Sequence, residues 1–281
     1  MQINYRGSKF MISVLVLMLA LAFALIMYKQ THSASVSMVV MLGFFLAVMD
    51  TSIGMGFGTF GTPILLIAGF SSILVVPSIL AAQFFSSSLA SILHRRYKNA
   101  DVLDLKGRDG KIAMIMVGMG TAGSILGVLI ALKLSKVYIN TYIGLLVIAM
   151  GLLLVLKPRF SFSWKKLTVI SLVGGFNKAI SGGGYGPITT SGLLASGNNV
   201  RNSVGISVFS VAVITFVGLI LYLLSRSVTS FTVITALSVG AVLGSQVGPK
   251  ITHKLEPIKD TNTIGILALA LGALTIIMSF W

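Results

Sequence analysis

Two stretches, Asp50-Thr51-Ser52-Ile53-Gly54-Met55-Gly56-Phe57-Gly58-Thr59 and Gly182-Gly183-Gly184-Tyr185-Gly186-Pro187-Ile188-Thr189-Thr190-Ser191, decide the fold of this chain. They lie in apolar regions, residues 38–70 and 167–196, and interrupt them with glycine at every second position or closer. Glycine lets the backbone leave a helix, so each region reads as a re-entrant, broken helical hairpin. A packing seam needs a small residue only every fourth position. That milder reading suits Gly120, Gly123, Gly127, Gly240, Gly244 and Gly248.

Around these breaks the implied solvent is lipid. Of 281 residues, 56% are hydrophobic and 10% charged, with a mean hydropathy of +0.99; a soluble domain carries roughly a quarter charged residues. A spanning helix needs about 20 apolar residues, and candidates lie near 10–28, 72–93, 112–132, 137–156, 200–224, 231–252 and 258–281. The first has a basic start, Arg6 and Lys9, as a signal peptide would. It is long for such a peptide's apolar core and no small-residue cleavage site follows, so it reads as a retained transmembrane helix. With no Cys and three scattered His, the sequence offers no disulfide, no metal site and no cofactor site. The net charge of +15 is not a nucleic-acid footprint, because the basic residues sit in short clusters between apolar runs rather than on one arm or face.

An internal repeat organises the spans. Asp50, Gly54, Gly56, Phe57, Gly58 and Gly69 precede Lys178, Gly182, Gly184, Tyr185, Gly186 and Gly197 by 128 positions. Later the offset is 121, pairing Gly123, Ser124, Gly127, Lys133 and Leu134 with Gly244, Ser245, Gly248, Lys254 and Leu255. If Arg6 and Lys9 are cytoplasmic and each hairpin returns to its own side, residues 94–111, 157–166, 197–201 and 250–260 are cytoplasmic. Sixteen of the 21 Lys and Arg then share that side. Each half holds one broken hairpin and three crossings, an odd number, so the halves are inverted. The expected fold is an all-α integral membrane protein: an N-terminal transmembrane helix in residues 1–35, repeat 1 in 36–164 and repeat 2 in 165–281. The expected location is a cell (cytoplasmic) membrane, multi-pass, with a cytoplasmic N-terminus. Whether it is a monomer or a homo-oligomer stays open.

Inverted repeats bring their breaks together at the midplane. Thr62-Pro63 and Gly186-Pro187 read as starts of short helices near 63–70 and 187–196, whose amino ends, with unpaired N–H groups and partial positive charge, suit an anion. Expected substrate-binding residues are Gly56, Phe57, Gly58, Thr59, Thr62, Lys178, Gly184, Tyr185, Gly186, Thr189 and Thr190, the hydroxyls acting as donors. Asp50 and Lys178 are the only acid and base assigned to membrane depth, where a charge is costly and usually functional. Lys178 is expected to share the anion's charge and Asp50 to hold Lys178 or carry a coupling proton; a purely structural ion pair is the alternative. Gln83, Ser87, Ser91 and His94 form one helical face and Asn199, Ser203, Ser207 and Ser210 another. Of these, Gln83, Ser87, Ser203 and Ser207 are expected to line the pathway, with interhelical bonding as the plainer alternative. Gln246 reads as interhelical glue, and His94 and His253 as residues of the membrane interface.

At these motifs, and more weakly around Gln83 and His94-Arg95-Arg96, the chain from about residue 38 onward resembles the sulfite exporter TauE/SafE family. The resemblance implies a transporter of sulfite or small organosulfur and carboxylate anions. Some relatives place an acid where this chain has Lys178, a departure that points to a changed substrate or a locked Asp50–Lys178 pair. The expected function is export of a small oxyanion by alternating access, with membrane lipid as surroundings and no nucleic-acid partner. An anion channel and a small-carboxylate transporter are the near alternatives. A membrane-embedded enzyme lacks the paired carboxylates, nucleophile or metal ligands it would need.

Overall fold

A computed structural model describes residues 36–156, 162–225, 231–254 and 262–280; the expected helix at 10–28 and the rest of segment 1–35 lie outside the described residues. Every element among the described residues is helical, as lipid requires, because only a helix or a closed barrel pairs its own backbone there. The first half runs α1 (Val36–Ile53), α2 (Phe57–Ile67), α3 (Ser72–Arg96), α4 (Arg108–Ala131) and α5 (Lys136–Leu156). The second runs α6 (Trp164–Ser181), α7 (Tyr185–Ala195), α8 (Val200–Leu224), α9 (Phe231–Ser245), α10 (Gly248–Lys254) and α11 (Asn262–Ser279). Among the described residues seven stretches are long and apolar enough to cross a membrane: α1, α3, α4, α5, α8, α9 with α10, and α11.

The bounds of α1, α2 and α3 recur in α6, α7 and α8 with an offset of 128 at both ends of every helix. Left-handed glycines explain why. Gly54 (φ 76°) and Gly182 (φ 72°) close α1 and α6 by donating to the carbonyls of Asp50 (2.7 Å) and Lys178 (2.8 Å). Gly69 and Gly197, also left-handed, end α2 and α7, followed by Phe70→Leu65 and Asn198→Leu193 backbone bonds of 3.0 and 3.1 Å.

Two expectations about local structure need correction. The short helices begin at Phe57 and Tyr185, not near 63 and 187. Once a left-handed glycine has closed the preceding helix, the next can start immediately, and Pro187 falls in the first turn of α7, where its missing N–H costs no bond. Pro63 sits inside α2, and Thr62 is therefore not an N-cap. The predicted span 231–252 is also not one helix: it is interrupted after Ser245 and resumes at Gly248, and Gln246 is exposed at this kink rather than buried between helices.

Packing uses the other glycines as the sequence reading proposed. Helix α4 lies along α6, and α9 along α1. A Cβ at Gly123 would stand 2.0 Å from the Leu172 carbonyl oxygen, and one at Gly244 would stand 2.1 Å from that of Phe44. Helices α5 and α11 meet through Gly144 against Gly272 and Gly151 against Gly265. Backbones can approach this closely only where no side chain intervenes, and dispersion is the attraction available to helices in lipid. We expect Gly123→Ala to lower the melting temperature of the detergent-purified protein by several degrees, an overpacking cost of about 1–3 kcal/mol. Gly118→Ala, whose Cβ would have nothing within 4 Å, should leave it unchanged or slightly higher. Equal shifts in differential scanning fluorimetry would argue against this packing.

Candidate functional site

The two breaks touch. A Cβ at Gly58 would stand 1.7 Å from the Gly182 carbonyl oxygen, and one at Gly186 would stand 2.2 Å from that of Gly54. Under the 128 offset these contacts are images of one another. Threonines tie the crossing: Thr62 Oγ1 donates to the Ser181 carbonyl (2.8 Å) and Thr190 Oγ1 to that of Gly54 (2.9 Å). Each hydroxyl therefore satisfies a carbonyl left without a helical partner where the facing helix stops. Thr189 Oγ1 lies 2.8 Å from the Tyr185 carbonyl and 3.2 Å from Ser207 Oγ.

A hydroxyl has a single proton to donate. In this conformation Thr62 and Thr190 direct theirs to backbone, sealing the crossing rather than offering donors to a ligand. Tyr185 is further from the expected role. Its ring packs on Gly174 and Gly120, and its hydroxyl donates to the Met116 carbonyl (3.4 Å) on α4. Gly56, Phe57, Gly58, Thr59, Gly184 and Gly186 are all brought to the crossing and all are buried.

Across this contact runs a buried polar chain. Asp50 Oδ1 accepts from the Phe57 N–H (3.1 Å) and Oδ2 from Gln83 Nε2 (2.9 Å); Gln83 Oε1 in turn accepts from Lys178 Nζ. Asp50, Gln83 and Lys178 are 6%, 1% and 2% exposed. Gln83, expected along the pathway, is thus the bridge through which the acid reaches the base. The sequence image of Asp50 is Lys178, which cannot accept a hydrogen bond, so the two amino ends are not equivalent. The first turn of α2 is met by the chain's own carboxylate, whereas α7 starts at Gly184 without a side-chain cap. Of the two positive helix ends, only that of α2 is met by a carboxylate among the described residues.

A second set of contacts, not anticipated from the sequence, anchors the same helices one turn away. His94 Nε2 donates to the Thr51 carbonyl (3.0 Å), while Asn99 Nδ2 donates to His94 Nδ1 (2.9 Å) and to the Pro249 carbonyl (3.0 Å). A carbonyl only accepts, so the Nε2–H tautomer is fixed. Thr252 Oγ1 adds a bond to the Ser52 carbonyl (2.8 Å). In the other half Tyr222 OH donates to the Ala179 carbonyl (2.9 Å). His94 and Tyr222 are 128 apart, as are Thr51 and Ala179, so the repeat register carried this signal. His94 is buried, not interfacial, whereas His253 is exposed with its ring 6.0 Å from that of Tyr97.

The polar faces of α3 and α8 fall on packed neighbours that share the cluster of Ala90, Val200, Val204 and Val208. Beside it the hydroxyls of Ser87 and Ser203 are buried without a hydrogen-bond partner. No group of His, Asp or Glu suited to a metal ion occurs among the described residues.

Comparison with known proteins adds identity to this geometry. The family model described as Sulfite exporter TauE/SafE matches residues 39–278. A "Probable membrane transporter protein YtnM" of Bacillus subtilis (strain 168) is 23% identical over 251 residues, 84% of this chain and 81% of the relative. No solved structure matches significantly.

Gln83→Leu should strand both Asp50 and Lys178 as buried charges with one partner fewer. Breaking a buried charged network in this way costs about 3–5 kcal/mol. The triple change Asp50→Asn, Gln83→Leu, Lys178→Met should recover much of that loss, and thermal unfolding of the two variants checks the comparison.

Proposed function

Because the chain belongs to the sulfite exporter TauE/SafE family and is a multi-pass membrane transporter of that type, we propose that it carries a small oxyanion, sulfite or an organosulfonate, through the crossing of its two breaks. The observation that carries this reading is the buried Asp50–Gln83–Lys178 chain laid across that crossing, next to the uncapped amino end of α7. Lys178 supplies the countercharge, with backbone N–H groups from Gly184 to Gly186 as donors. Asp50 occupies the equivalent place at α2 and acts as a tethered anion that the substrate must compete with. Proton uptake by Asp50 would release both the Phe57 N–H and the Gln83 amide, which is how a proton would couple to anion binding.

Alternating access follows from the inverted repeat, a reading supported by the identical offsets of helix bounds, of left-handed glycines and of the His94 and Tyr222 anchors. The threonine bonds of the crossing would open on one side at a time. Thr59, Thr62, Thr189 and Thr190 then turn their hydroxyls from backbone to substrate, and Ser87, Ser203 and Ser207 line the approach, where two of these hydroxyls lack a partner. A carrier is favoured over a channel because the crossing residues are buried. We place the protein in the cytoplasmic membrane with the basic clusters inside. A negative-inside potential favours anion exit by about 2.3 kcal/mol per charge per 100 mV, so export needs no coupled ion.

Sulfite, thiosulfate or a small sulfonate should raise the melting temperature of the purified protein, by an amount set by the logarithm of ligand concentration over Kd. Chloride and cations at equal ionic strength should not. Lys178→Ala should abolish both this shift and transport in proteoliposomes, and the Asp50→Asn, Lys178→Ala pair shows whether folding alone is responsible. Wild-type transport by Lys178→Ala would defeat the assignment of the countercharge.

A further inference from the structure

The two helix amino ends at the crossing differ by more than charge. Under the 128 offset Met49 and Asp50 of α1 correspond to Asn177 and Lys178 of α6, and Gly56 corresponds to Gly184. Each glycine stands just before a short helix. A Cβ at Gly56 would stand 3.0 Å from Met49 Cε, and one at Gly184 would stand 3.3 Å from Asn177 Cβ. The side chain packed beside the amino end is therefore a thioether at α2 and an amide at α7. Met49 is 1% exposed and belongs to the main apolar core.

Asn177 is 6% exposed, and only half of its amide is used. Its Oδ1 accepts from Tyr142 OH on α5 (2.5 Å), while its Nδ2 has no hydrogen-bond partner among the described residues. At the 121 offset Tyr142 corresponds to Thr263, so neither member of this pair recurs at the α2 end. Ser181 Oγ donates to the Asn177 carbonyl (2.7 Å) and accepts from the Gly183 N–H (3.0 Å), which fixes Asn177 relative to the turn that leads into α7. Leaving a buried donor unpaired is destabilising, and a mere tie between α5 and α6 gives no reason to keep one.

We propose that Asn177 is a substrate-recognition residue: its Nδ2 donates to an oxyanion bound at the amino end of α7 beside Lys178, and Tyr142 fixes which end of the amide is presented. This deepens the carrier reading above and rests on it. With Oδ1 occupied by Tyr142, Asn177 offers donors and no acceptor, as do Lys178 and the first-turn N–H groups of α7. A ligand that still carries an acidic proton would set donor against donor. The substrate class is thus the fully deprotonated oxyanion, a sulfonate or the sulfite dianion, rather than an acid monoanion that keeps a hydroxyl. In this conformation half-buried Leu146 lies over Gly184, its Cδ2 3.0 Å from a Cβ placed there, so the ligand enters as Leu146 turns aside and the crossing opens.

Methanesulfonate and methylphosphonate are compared at a pH where both are monoanions, so that they differ by one hydroxyl proton and not in charge. Their Kd values are read from thermal stabilisation of the purified full chain at graded ligand concentrations. The unaltered protein should bind methanesulfonate about ten-fold or more tightly than methylphosphonate, because only the latter leaves a buried donor unpaired. Asn177→Leu, close in shape, should weaken methanesulfonate binding by about ten-fold. Asn177→Met, which copies Met49, repeats the measurement if the leucine variant fails to fold. Tyr142→Phe frees Oδ1 to turn toward the ligand and should bring the two affinities together. Unchanged methanesulfonate binding in the Asn177 variants overturns the proposal and leaves Asn177 a tie between α5 and α6. Equal binding of the two ligands by the unaltered protein overturns the donor-only selectivity, and an unchanged ratio in Tyr142→Phe overturns the role of Tyr142. No binding of methanesulfonate or sulfite by the unaltered protein defeats the carrier reading itself. Binding lost in Lys178→Ala but kept in Asn177→Leu defeats the Asn177 assignment alone.

Discussion

Two helices stop in the buried interior of the protein, and the rest of the structure answers that constraint. Each end leaves carbonyls and N–H groups that must find partners within the protein. Here they find one another. Thr62 and Thr190 reach across the crossing to carbonyls of the opposite helix, while His94, Thr252 and Tyr222 hold carbonyls of the preceding turn from outside. Gly58 and Gly186 have no side chain because the opposing backbone occupies the space. A break that is satisfied by side chains rather than by a continuous helix can be rearranged by exchanging those bonds.

The symmetry of this arrangement is broken by charge. The bounds of α1, α2 and α3 correspond residue for residue with those of α6, α7 and α8, yet one amino end is met by Asp50 and the other faces a half whose equivalent residue is Lys178. The acid and base share one amide, Gln83, so any ligand that engages Lys178 also perturbs the group that holds the amino end of α2.

Much of this was legible beforehand. The apolar runs located α3, α4, α5, α8 and α11, and glycine density located the breaks, because both depend on local composition alone. The seams at Gly123, Gly127, Gly244 and Gly248 were readable because helix packing imposes a fixed spacing. Short helix starts were misplaced because Pro63 and Pro187 are strong local signals, and the left-handed glycines just upstream had already reset the chain. Tyr185 was read as a site donor from its place in the motif; its side chain points instead to α4, a direction set by the glycines of α6 and α4 that make room for its ring.

By itself, then, the sequence determined the solvent, the helices, their interruptions and the register of the two halves, all consequences of hydropathy and of backbone freedom at glycine. Only the tertiary structure decided which groups share a bond: that Gln83 joins Asp50 to Lys178, and that His94 and Tyr222 hold equivalent carbonyls. Those outcomes depend on side chains separated by 33 to 95 residues or more meeting at hydrogen-bond distance, and no local pattern encodes the direction in which a buried side chain finds its partner.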